Sequence, residues 1–318
     1  MEKLILIDGS GLIYRGFYAI PPFFKSPTGA PTNAVFGFTS ILLTILANHK
    51  PDYLAVAFDR KGPTFRHKAY KEYKATRVKA PQELYDQIPL VKEVVAAFGI
   101  PGFEVEGFEA DDILAAIVAL LGPKTDVHTL IASGDFDMFQ IASDKVSILY
   151  PTKGFKEAEI FSADEIKKEY GITPAQIPDY KGLAGDNSDN IPGVMGIGDK
   201  GATKLLQDFG NLENIYEHLG AISEGVRKKL EASRENAFMS KKLATLEVNV
   251  PLDFDLPACR AKHFDAKSVK QTLAGFGFKS LIRRVDEMYK DAPFGRNNAV
   301  AEPRLGLGDE PAQSSLFA

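Results

Sequence analysis

The sequence predicts an α/β fold in which a mostly parallel, twisted sheet is followed by a smaller helical region. Apolar runs rich in β-branched residues alternate with segments of helical periodicity in the first half, the order typical of βαβ units. From Ser162 onward the chain has short helical patterns separated by glycine and proline, without strand-like runs of comparable strength. We therefore expect a covered sheet first and a helical domain second.

Each predicted element rests on its local pattern. Apolar runs typical of strands buried on both faces cover residues 3–8, 52–59 and 127–135. Helical periodicity with capping and terminating residues predicts helices over 32–48, 82–98 and 110–121. We expect domains over 1–172 and 173–290, followed by a disordered tail rich in proline and glycine over 291–318.

Composition excludes several classes of protein. The chain has 318 residues, a formal net charge of −4 and a single cysteine, so no disulfide framework is indicated. Its apolar stretches fall short of the about 18 residues that a membrane span requires, and the N-terminal one is too short for a signal peptide. We expect a soluble cytoplasmic protein without a membrane partner.

Charge is segregated along the chain. Residues 60–79 contain eight Lys or Arg against one acid, with aromatic residues between them. Residues 104–112 contain five acids in nine positions. A solvated helix face is the ordinary explanation of a basic run. The interleaved aromatics and the balancing acidic segment favour a binding surface for an anionic partner instead.

Acidic residues follow predicted strands and open predicted helices. Strand ends in Asp8, Asp59 and Asp135 meet at one edge of a parallel sheet, where ligands bind in open α/β folds. Caps and turns explain one or two acids but not the whole set. Oxygen-only ligands favour Mg²⁺ or Mn²⁺, and the number of acids suits two ions. Two such ions are typical of a nuclease or phosphatase. The candidate ligands are Asp8, Asp59, Glu109, Asp111, Asp112, Asp135, Asp137, Asp186 and Asp189.

A glycine-rich stretch, IPGVMGIGDKGATKLL over 191–206, predicts contact with nucleic acid. Gly196 and Gly198 permit a tight turn before the next helix, whose first N–H groups can face a phosphate. Lys200 and Lys204 add positive charge. The spacing is typical of a helix-hairpin-helix motif, which contacts the DNA backbone without reading bases.

Together the motifs resemble the 5′-nuclease domain of bacterial DNA polymerase I, within the structure-specific 5′→3′ exonuclease and flap endonuclease family. The resemblance covers residues 1–290 and implies a PIN-like nuclease domain with a helical arch over 60–90, then a three-helix-type helix-hairpin-helix domain. The matching stretches are LILIDGSGLIYRGFYA, VAFDRKGPTFRHKAYKEYKATR, EADD, SGDFDMFQ and GLAGDNSDNIPGVMGIGDKGATKLL.

The resemblance also implies roles for single residues. Lys74 matches the arch lysine that stabilises charge on the scissile phosphate, and it is expected to be catalytic with Asp8 and Asp112. Tyr70 or Tyr73 is expected to stack on a base. The turn at 193–201 is expected to hold K⁺. Residues expected to contact DNA are Arg15, Arg66, Lys74, Arg77, Gly196, Gly198, Lys200 and Lys204. A first metal cluster is implied at Asp8, Asp59, Glu109, Asp111 and Asp112, and a second at Asp135, Asp137, Asp186 and Asp189.

The implied function is a Mg²⁺-dependent 5′→3′ exonuclease and flap endonuclease that removes RNA primers or displaced flaps in DNA replication and repair. Expected substrates are 5′ flaps, nicked or gapped duplexes and RNA–DNA primer ends, with Mn²⁺ able to replace Mg²⁺. We expect a monomeric, stand-alone nuclease. Phe136 stands where family members usually have lysine, which would weaken the electrostatics at the second cluster. Met195 and Gly201 stand where lysine and threonine are common, which would reduce DNA affinity.

The end of the chain, QSSLF, resembles the short bacterial motif that docks on the sliding clamp through Gln313, Leu316 and Phe317. Such a tether would raise the effective concentration of the enzyme at DNA junctions. Two other functions are considered. A catalytically silent junction-binding scaffold is disfavoured by the complete set of acids. A PIN-type ribonuclease is disfavoured by the helix-hairpin-helix motif, which favours duplex DNA.

Overall fold

A computed structural model describes residues 1–122, 126–152, 154–261 and 265–291. Its strands are Glu2–Asp8 (β1), Tyr53–Ala57 (β2), Gly102–Phe103 (β3), Val127–Ala132 (β4), Val146–Tyr150 (β5) and Glu159–Phe161 (β6). They form one sheet in the order β3-β2-β1-β4-β5-β6. Neighbouring strands are parallel, except that β6 runs antiparallel to β5. The prediction of a mostly parallel sheet is confirmed.

The predicted strands occur, but two of them are shorter than expected. β2 ends at Ala57 and β4 at Ala132. Register places Asp8 opposite Ala57 and Ile7 opposite Ala132. The acids after all three strands therefore lie at one edge. β3, β5 and β6, of two, five and three residues, were not predicted.

Helices cover both faces of the sheet. In the first half they are Gly9–Ala19 (α1), Asn33–His49 (α2), Phe65–Ala69 (α3), Gln82–Ala97 (α4) and Ala110–Leu121 (α5). Successive residues of β1 point to opposite faces. Leu4 and Leu6 join the core under α5, whereas Ile5 and Ile7 join the core under α1, α2 and α4.

The first helix follows its strand without a loop and was not predicted. Gly16 of α1 lies against α2, where a Cβ on Gly16 would be only 2.9 Å from the backbone nitrogen of Phe38. The two helices thus cross at close range. Glycine lowers helix propensity. The glycines that permit this close crossing therefore also weaken the sequence signal for α1.

The second half is helical, as predicted. Its helices are Ala163–Tyr170 (α6), Ile177–Ala184 (α7), Asp199–Phe209 (α8), Leu212–Glu217 (α9), Glu224–Ala232 (α10), Arg234–Ala244 (α11), Ala266–Gly275 (α12) and Lys279–Asp291 (α13). α11 packs along α7.

The last two helices depart from the predicted domain over 173–290. α12 and α13 pack against α4 and α2 of the first domain. Phe278 meets Phe36 of α2 edge to face, with ring centroids 5.2 Å apart. Arg284 of α13 donates to the carbonyl of Ser40 at 3.2 Å and to the Thr44 hydroxyl at 2.9 Å. The chain therefore returns to the first domain after leaving the second.

Among the described residues, no helix combines the length and apolar character needed to cross a bilayer. The predicted tail over 291–318, with its clamp-binding residues Gln313, Leu316 and Phe317, lies outside the described residues except for Asp291, which ends α13.

Candidate active site

Four acids form what we call the first carboxylate group: Asp8, Asp59, Asp111 and Asp135. Asp8 ends β1, accepts from the Gly11 N–H at 2.8 Å and from the Ser133 hydroxyl at 2.9 Å, and is 5% exposed. Asp59 accepts from the Ala110 N–H at 2.8 Å, which ties the end of β2 to the start of α5. Strand ends and a helix start therefore supply the group together.

Electrostatics show that these acids act on one another. Burial, with added repulsion from Asp59 and Asp135, raises the pKa of Asp8 to about 7. Burial and the charges of Asp135 and Asp8 hold the pKa of Asp111 well above its ordinary value. Desolvated like charges favour the protonated form unless a cation compensates them. The first carboxylate group is thus suited to bind cations.

The second carboxylate group contains Asp137, Asp186 and Asp189, and an oxygen from each lies within 4.8 Å of the others. A buried lysine, Lys181 of α7, forms ion pairs with Asp137 and Asp186. Burial raises the pKa of Asp137 to about 7 even so. Burial would also raise the pKa of Asp186, but Lys181 and the Ser188 hydroxyl lower it to about 2.

Backbone geometry explains the GDNSDNIPG stretch that carries Asp186 and Asp189. Gly185 has a φ of 76° and Gly193 has a φ of 61°, both in the left-handed region. A Cβ on Gly185 would lie 2.7 Å from the Ile191 carbonyl oxygen, and one on Gly193 would strike the backbone of Gly185. The two glycines close a loop that turns both aspartates toward Asp137.

The two carboxylate groups share an open crevice. Its wall includes Asp8, Asp135 and Asp186 together with Arg15 and Lys181. Arg15 donates to the Pro151 carbonyl at 3.2 Å. The charge of Asp135, which the resemblance assigns to the second cluster, raises the pKa values of both Asp8 and Asp137 and so acts on both groups.

The basic segment forms a short helix and a series of turns that dock on the acids. Of residues 60–90, α3 covers only Phe65–Ala69, and α4 begins at Gln82 as part of the core. Lys74, at a left-handed φ of 56°, donates to Glu109 Oε2 at 2.8 Å and lies 3.8 Å from Asp189 Oδ2. Arg77 pairs with Asp189. The predicted helical arch is therefore confined to one short helix and its following turns.

Tyr73 differs from the expectation that it stacks on a base. Its ring is 3% exposed, and its hydroxyl lies 3.1 Å from Glu109 Oε2 and 3.0 Å from Asp189 Oδ2. The hydroxyl can donate to only one of them at a time. In this conformation Tyr73 anchors the basic segment, whereas Tyr70 is half-buried.

Asp112 and Arg66 also differ from expectation, because they bind each other. Asp112 is fully buried, and the Arg66 guanidinium donates to both of its oxygens at 2.7 Å. The N–H groups of Glu109 and Glu247 occupy the same oxygens at 3.1 and 2.9 Å. Arg66 is 3% exposed. In this conformation both oxygens of Asp112 are occupied by hydrogen bonds and Arg66 is buried, so the expected metal role of Asp112 and the expected DNA contact of Arg66 stay predictions.

The predicted DNA-contact turn lies at the surface. Gly198 caps α8, and Lys200 and Lys204 are exposed on that helix, Lys204 with its head 2.9 Å from Asp208. The Gly196 carbonyl accepts from Lys229 at 2.9 Å.

Three positions differ from the residues common in the family. Met195 is 84% exposed on this turn and Gly201 is exposed in α8, whereas Phe136 packs edge to face against Tyr170.

Sequence analysis missed Lys181 and Gln140. Lys181 precedes GLAGD by one residue, like any surface lysine, and only the fold shows that it is buried between acids. Gln140 lies in the 3₁₀ turn Phe136–Ile141 that carries Asp137, and it hydrogen-bonds the backbone after α11. A polar residue within an otherwise apolar stretch, MFQI, is the only signal for it.

Two family models match the chain. The 5′-3′ exonuclease N-terminal resolvase-like domain matches residues 3–171. The 5′-3′ exonuclease C-terminal SAM fold matches residues 172–267.

Curated relatives agree with these matches. A 5′-3′ exonuclease of Aquifex aeolicus is 36% identical over 292 residues, which cover 92% of this chain and 98% of that protein. DNA polymerase I of Bacillus subtilis is 40% identical over 309 residues, 97% of this chain but 34% of that protein. The chain spans about a third of the length of the DNA polymerase I relatives.

Solved structures share the fold. A T5 5′-exonuclease with bound zinc ions has a TM-score of 0.63 at 24% identity, over 91% of this chain and 99% of that one. The catalytic core of Rad2 in complex with a DNA substrate has a TM-score of 0.58 at 20% identity, over 93% of each chain. On the evidence of both family models and of its relatives, the chain belongs to the 5′-3′ exonuclease family.

Proposed function

We propose that this chain is a structure-specific nuclease that hydrolyses phosphodiesters at 5′ ends and 5′ flaps of DNA with two divalent cations. The observation that carries the proposal is a set of buried, mutually repelling acids, of which Asp8 lines an open crevice and Asp111 lies within the electrostatic reach of the docked lysine Lys74. Family membership supports this chemistry, and the complex of Rad2 with a DNA substrate supports DNA as the partner.

The donor atoms fit hard divalent cations. Both carboxylate groups offer only oxygen, the ligand type of Mg²⁺ and Mn²⁺. The raised pKa values of Asp8, Asp111 and Asp137 are those of acids that a cation would keep ionised. Asp8, Asp59, Asp111 and Asp135 would hold one ion, and Asp137, Asp186 and Asp189 the other. Bound Mg²⁺ would supply an activated water and stabilise charge on the departing oxygen.

The basic segment would hold the scissile phosphate. Lys74 and Arg77 pair with Glu109 and Asp189 without DNA, and both cations would exchange these partners for phosphate oxygens when a substrate enters. A lysine aimed at developing negative charge favours the transition state over the ground state. Arg15, on the wall of the crevice, is positioned for a neighbouring phosphate.

Duplex DNA would bind at the second domain. The first N–H groups of α8, behind Gly196 and Gly198, are available to a backbone phosphate, with Lys200 and Lys204 beside them. We also propose that this turn binds K⁺. In the structure the Lys229 ammonium donates to the Gly196 carbonyl on this turn. The domain limits 1–172 and 173–290 stay part of the proposal, with α12 and α13 packing against the first domain.

The biological role we propose is removal of RNA primers and displaced flaps in replication and repair. The DNA polymerase I relatives support it. We further propose a monomer that acts in the cytoplasm and docks on the sliding clamp through Gln313, Leu316 and Phe317, a site that a pulldown with residues 313–318 deleted would test.

Cleavage of a 5′-flap DNA with Mg²⁺ or EDTA tests the proposed activity. We expect Mg²⁺-dependent cleavage near the junction, with Mn²⁺ as a substitute and little cleavage of single-stranded RNA. Lys74→Ala should slow cleavage by about 100-fold or more, the typical loss of one group that stabilises transition-state charge. Lys71→Ala, which changes an exposed lysine of the same segment, is the matched control.

Three outcomes would contradict the proposal. They are cleavage unaffected by EDTA, wild-type turnover of Lys74→Ala, and a preference for single-stranded RNA over flap DNA.

A further inference from the structure

Residues 243–247, the last two residues of α11 and the three that follow it, are held by side chains from three separate parts of the first domain, and we call this segment the strap. It leaves the second domain and passes between the elements that carry the two carboxylate groups. Its backbone groups, rather than its side chains, make the contacts described below. Hydrogen bonds to backbone fix the position of a segment whatever its side chains are.

The first contact comes from the basic segment. Arg66, in α3, donates from Nε to the Leu243 carbonyl at 2.8 Å and from Nη2 to the Thr245 carbonyl at 3.1 Å. The same guanidinium holds both oxygens of Asp112. Since Arg66 is buried, these are hydrogen bonds of a charged group shielded from water, which are stronger than those at the surface.

The second contact comes from the helix that carries Glu109 and Asp111. Asp112 Oδ1 accepts from the Glu247 N–H at 2.9 Å, and Oδ2 accepts from the Glu109 N–H at 3.1 Å. One carboxylate therefore joins the strap to the first turn of α5. Movement of the strap would move the start of this helix with it.

The third contact comes from the turn that carries Asp137. Gln140 donates to the Ala244 carbonyl at 3.0 Å and accepts from the Leu246 N–H at 3.0 Å. The Gln140 side chain thus binds one carbonyl and one N–H of the strap, as the backbone of a neighbouring β-strand would. The strap is thus bound to the basic segment, to the helix that carries Asp111 and to the turn that carries Asp137.

The other end of the connection is the DNA-contact turn. Ser240 of α11, three residues before the strap, accepts from the Gly193 N–H at 3.0 Å. Gly182 of α7 packs so closely on α11 that a Cβ would lie 3.1 Å from the Ala237 carbonyl oxygen. α11 therefore links the turn at 193–201 to the strap as one rigid element.

We propose that the strap couples duplex binding at residues 193–201 to the alignment of Lys74 and both carboxylate groups. Arg66, Asp112 and Gln140 are then positioning residues rather than catalytic ones. This inference rests on the proposed function, because it makes cleavage faster when the second domain holds a duplex than when it does not. A misplacement of reacting groups by about 1 Å costs roughly 100-fold in rate, so a small shift of α11 suffices.

Gln140→Met tests the coupling with a side chain of similar size that loses both hydrogen bonds to the strap. We would measure single-turnover cleavage of a 5′-flap duplex and of a single strand with the flap sequence. The variant should lower the ratio of the two rates by about tenfold, through the flap rate alone. Its affinity for duplex DNA and for Mg²⁺, measured by calorimetry, should match the wild type.

Gln176→Met is the matched control. Like Gln140, Gln176 makes side-chain hydrogen bonds to backbone: it donates to the carbonyls of Leu206 and Gly210, and both of these bonds lie within the second domain. Its replacement should leave the ratio of rates unchanged. Ser240→Ala removes the hydrogen bond between α11 and Gly193, at the opposite end of the connection, and should lower the ratio of rates as Gln140→Met does. It tests the coupling independently if Gln140→Met folds poorly.

Two results would overturn the coupling: a wild-type ratio in Gln140→Met, or an equal fall in both rates together with lost Mg²⁺ affinity. If the wild type cleaves neither substrate, the proposed function fails while the coupling stays testable. Duplex binding should then still slow hydrogen exchange at the Leu246 and Glu247 amides, and should not do so in Gln140→Met. Absence of slowing in the wild type would overturn the inference independently of cleavage.

Discussion

Lys181 balances charge within the second carboxylate group. Its ammonium contacts Asp137 and Asp186 in a position where only 6% of the residue is exposed. Removing one partner of a buried ion pair leaves uncompensated charge, which costs about 3–5 kcal/mol. Lys181 therefore stabilises the fold when no divalent cation is bound, and it shares its anionic partners with the cation we propose there.

Replacing Lys181 by methionine should destabilise the metal-free protein by about 3 kcal/mol, because Asp137 and Asp186 would then face each other unpaired. Mg²⁺ should restore part of this loss by supplying the missing positive charge. Urea denaturation in EDTA and in Mg²⁺ measures both effects. Lys167→Met, at an exposed position of α6, controls for the loss of a lysine. Equal losses for Lys181→Met in the two buffers would contradict this account.

The raised pKa of Asp8 makes stability depend on pH. Between its ordinary value of 3.8 and about 7, folded Asp8 holds a proton that the unfolded chain releases. Its contribution is therefore fully present below about pH 4 and is lost as pH rises through 7, on the order of 4 kcal/mol in all. Divalent cations should flatten this dependence, since they compete with the proton.

The variant Asp8→Asn isolates this effect, because asparagine keeps the capping hydrogen bond to Gly11 but has no charge. Unfolding free energies in EDTA should show the wild type losing stability relative to Asp8→Asn between pH 5 and about 7.5. A difference between the two proteins that does not change with pH would refute the buried, repelled state of Asp8.

At the scale of elements, each sequence motif predicted where its own residues lie in the fold, but not which distant residues they contact. The strand ends, the EADD helix start and the glycine-rich turn all occur where the sequence places them, because each depends on local chemistry. The pairing of Arg66 with Asp112 could not be predicted, since it depends on carbonyls of residues 243 and 245, far along the chain. The anchoring of Tyr73 also depends on a residue far along the chain, since its hydroxyl contacts Asp189.

The loop between α7 and α8 gives a prediction at this scale. Gly193→Ala would place a methyl group against the backbone of Gly185, at a φ that alanine rarely adopts. We expect a loss of at least about 2 kcal/mol in unfolding free energy, together with weaker divalent-cation binding, because Asp186 and Asp189 share this loop. Denaturation and calorimetry measure the two effects.

Gly198→Ala is the control for that substitution. Gly198 lies in open space and has no positive φ, so its replacement should leave stability and cation affinity near those of the wild type. Equal behaviour of the two variants would show that the close contact between Gly185 and Gly193 does not shape the site.

At the scale of the whole molecule, the sheet order places three strand-terminal acids at one edge, and this much follows from the βαβ pattern alone. The return of α12 and α13 to the first domain does not follow from it. These helices carry apolar residues whose partners, such as Phe36 in α2, are identified only by the tertiary structure. The second domain is therefore attached to the first domain at both of its ends. This geometry suits the transmission of a conformational change through the strap.

The central claim is that acids scattered through the sequence form two adjacent sites for divalent cations. Anomalous diffraction from crystals soaked in Mn²⁺ tests it most directly. The account predicts one peak among Asp8, Asp111 and Asp135 and a second among Asp137, Asp186 and Asp189, with Lys181 displaced from at least one partner. Absence of anomalous density from the crevice, with both ion pairs of Lys181 intact, would contradict it.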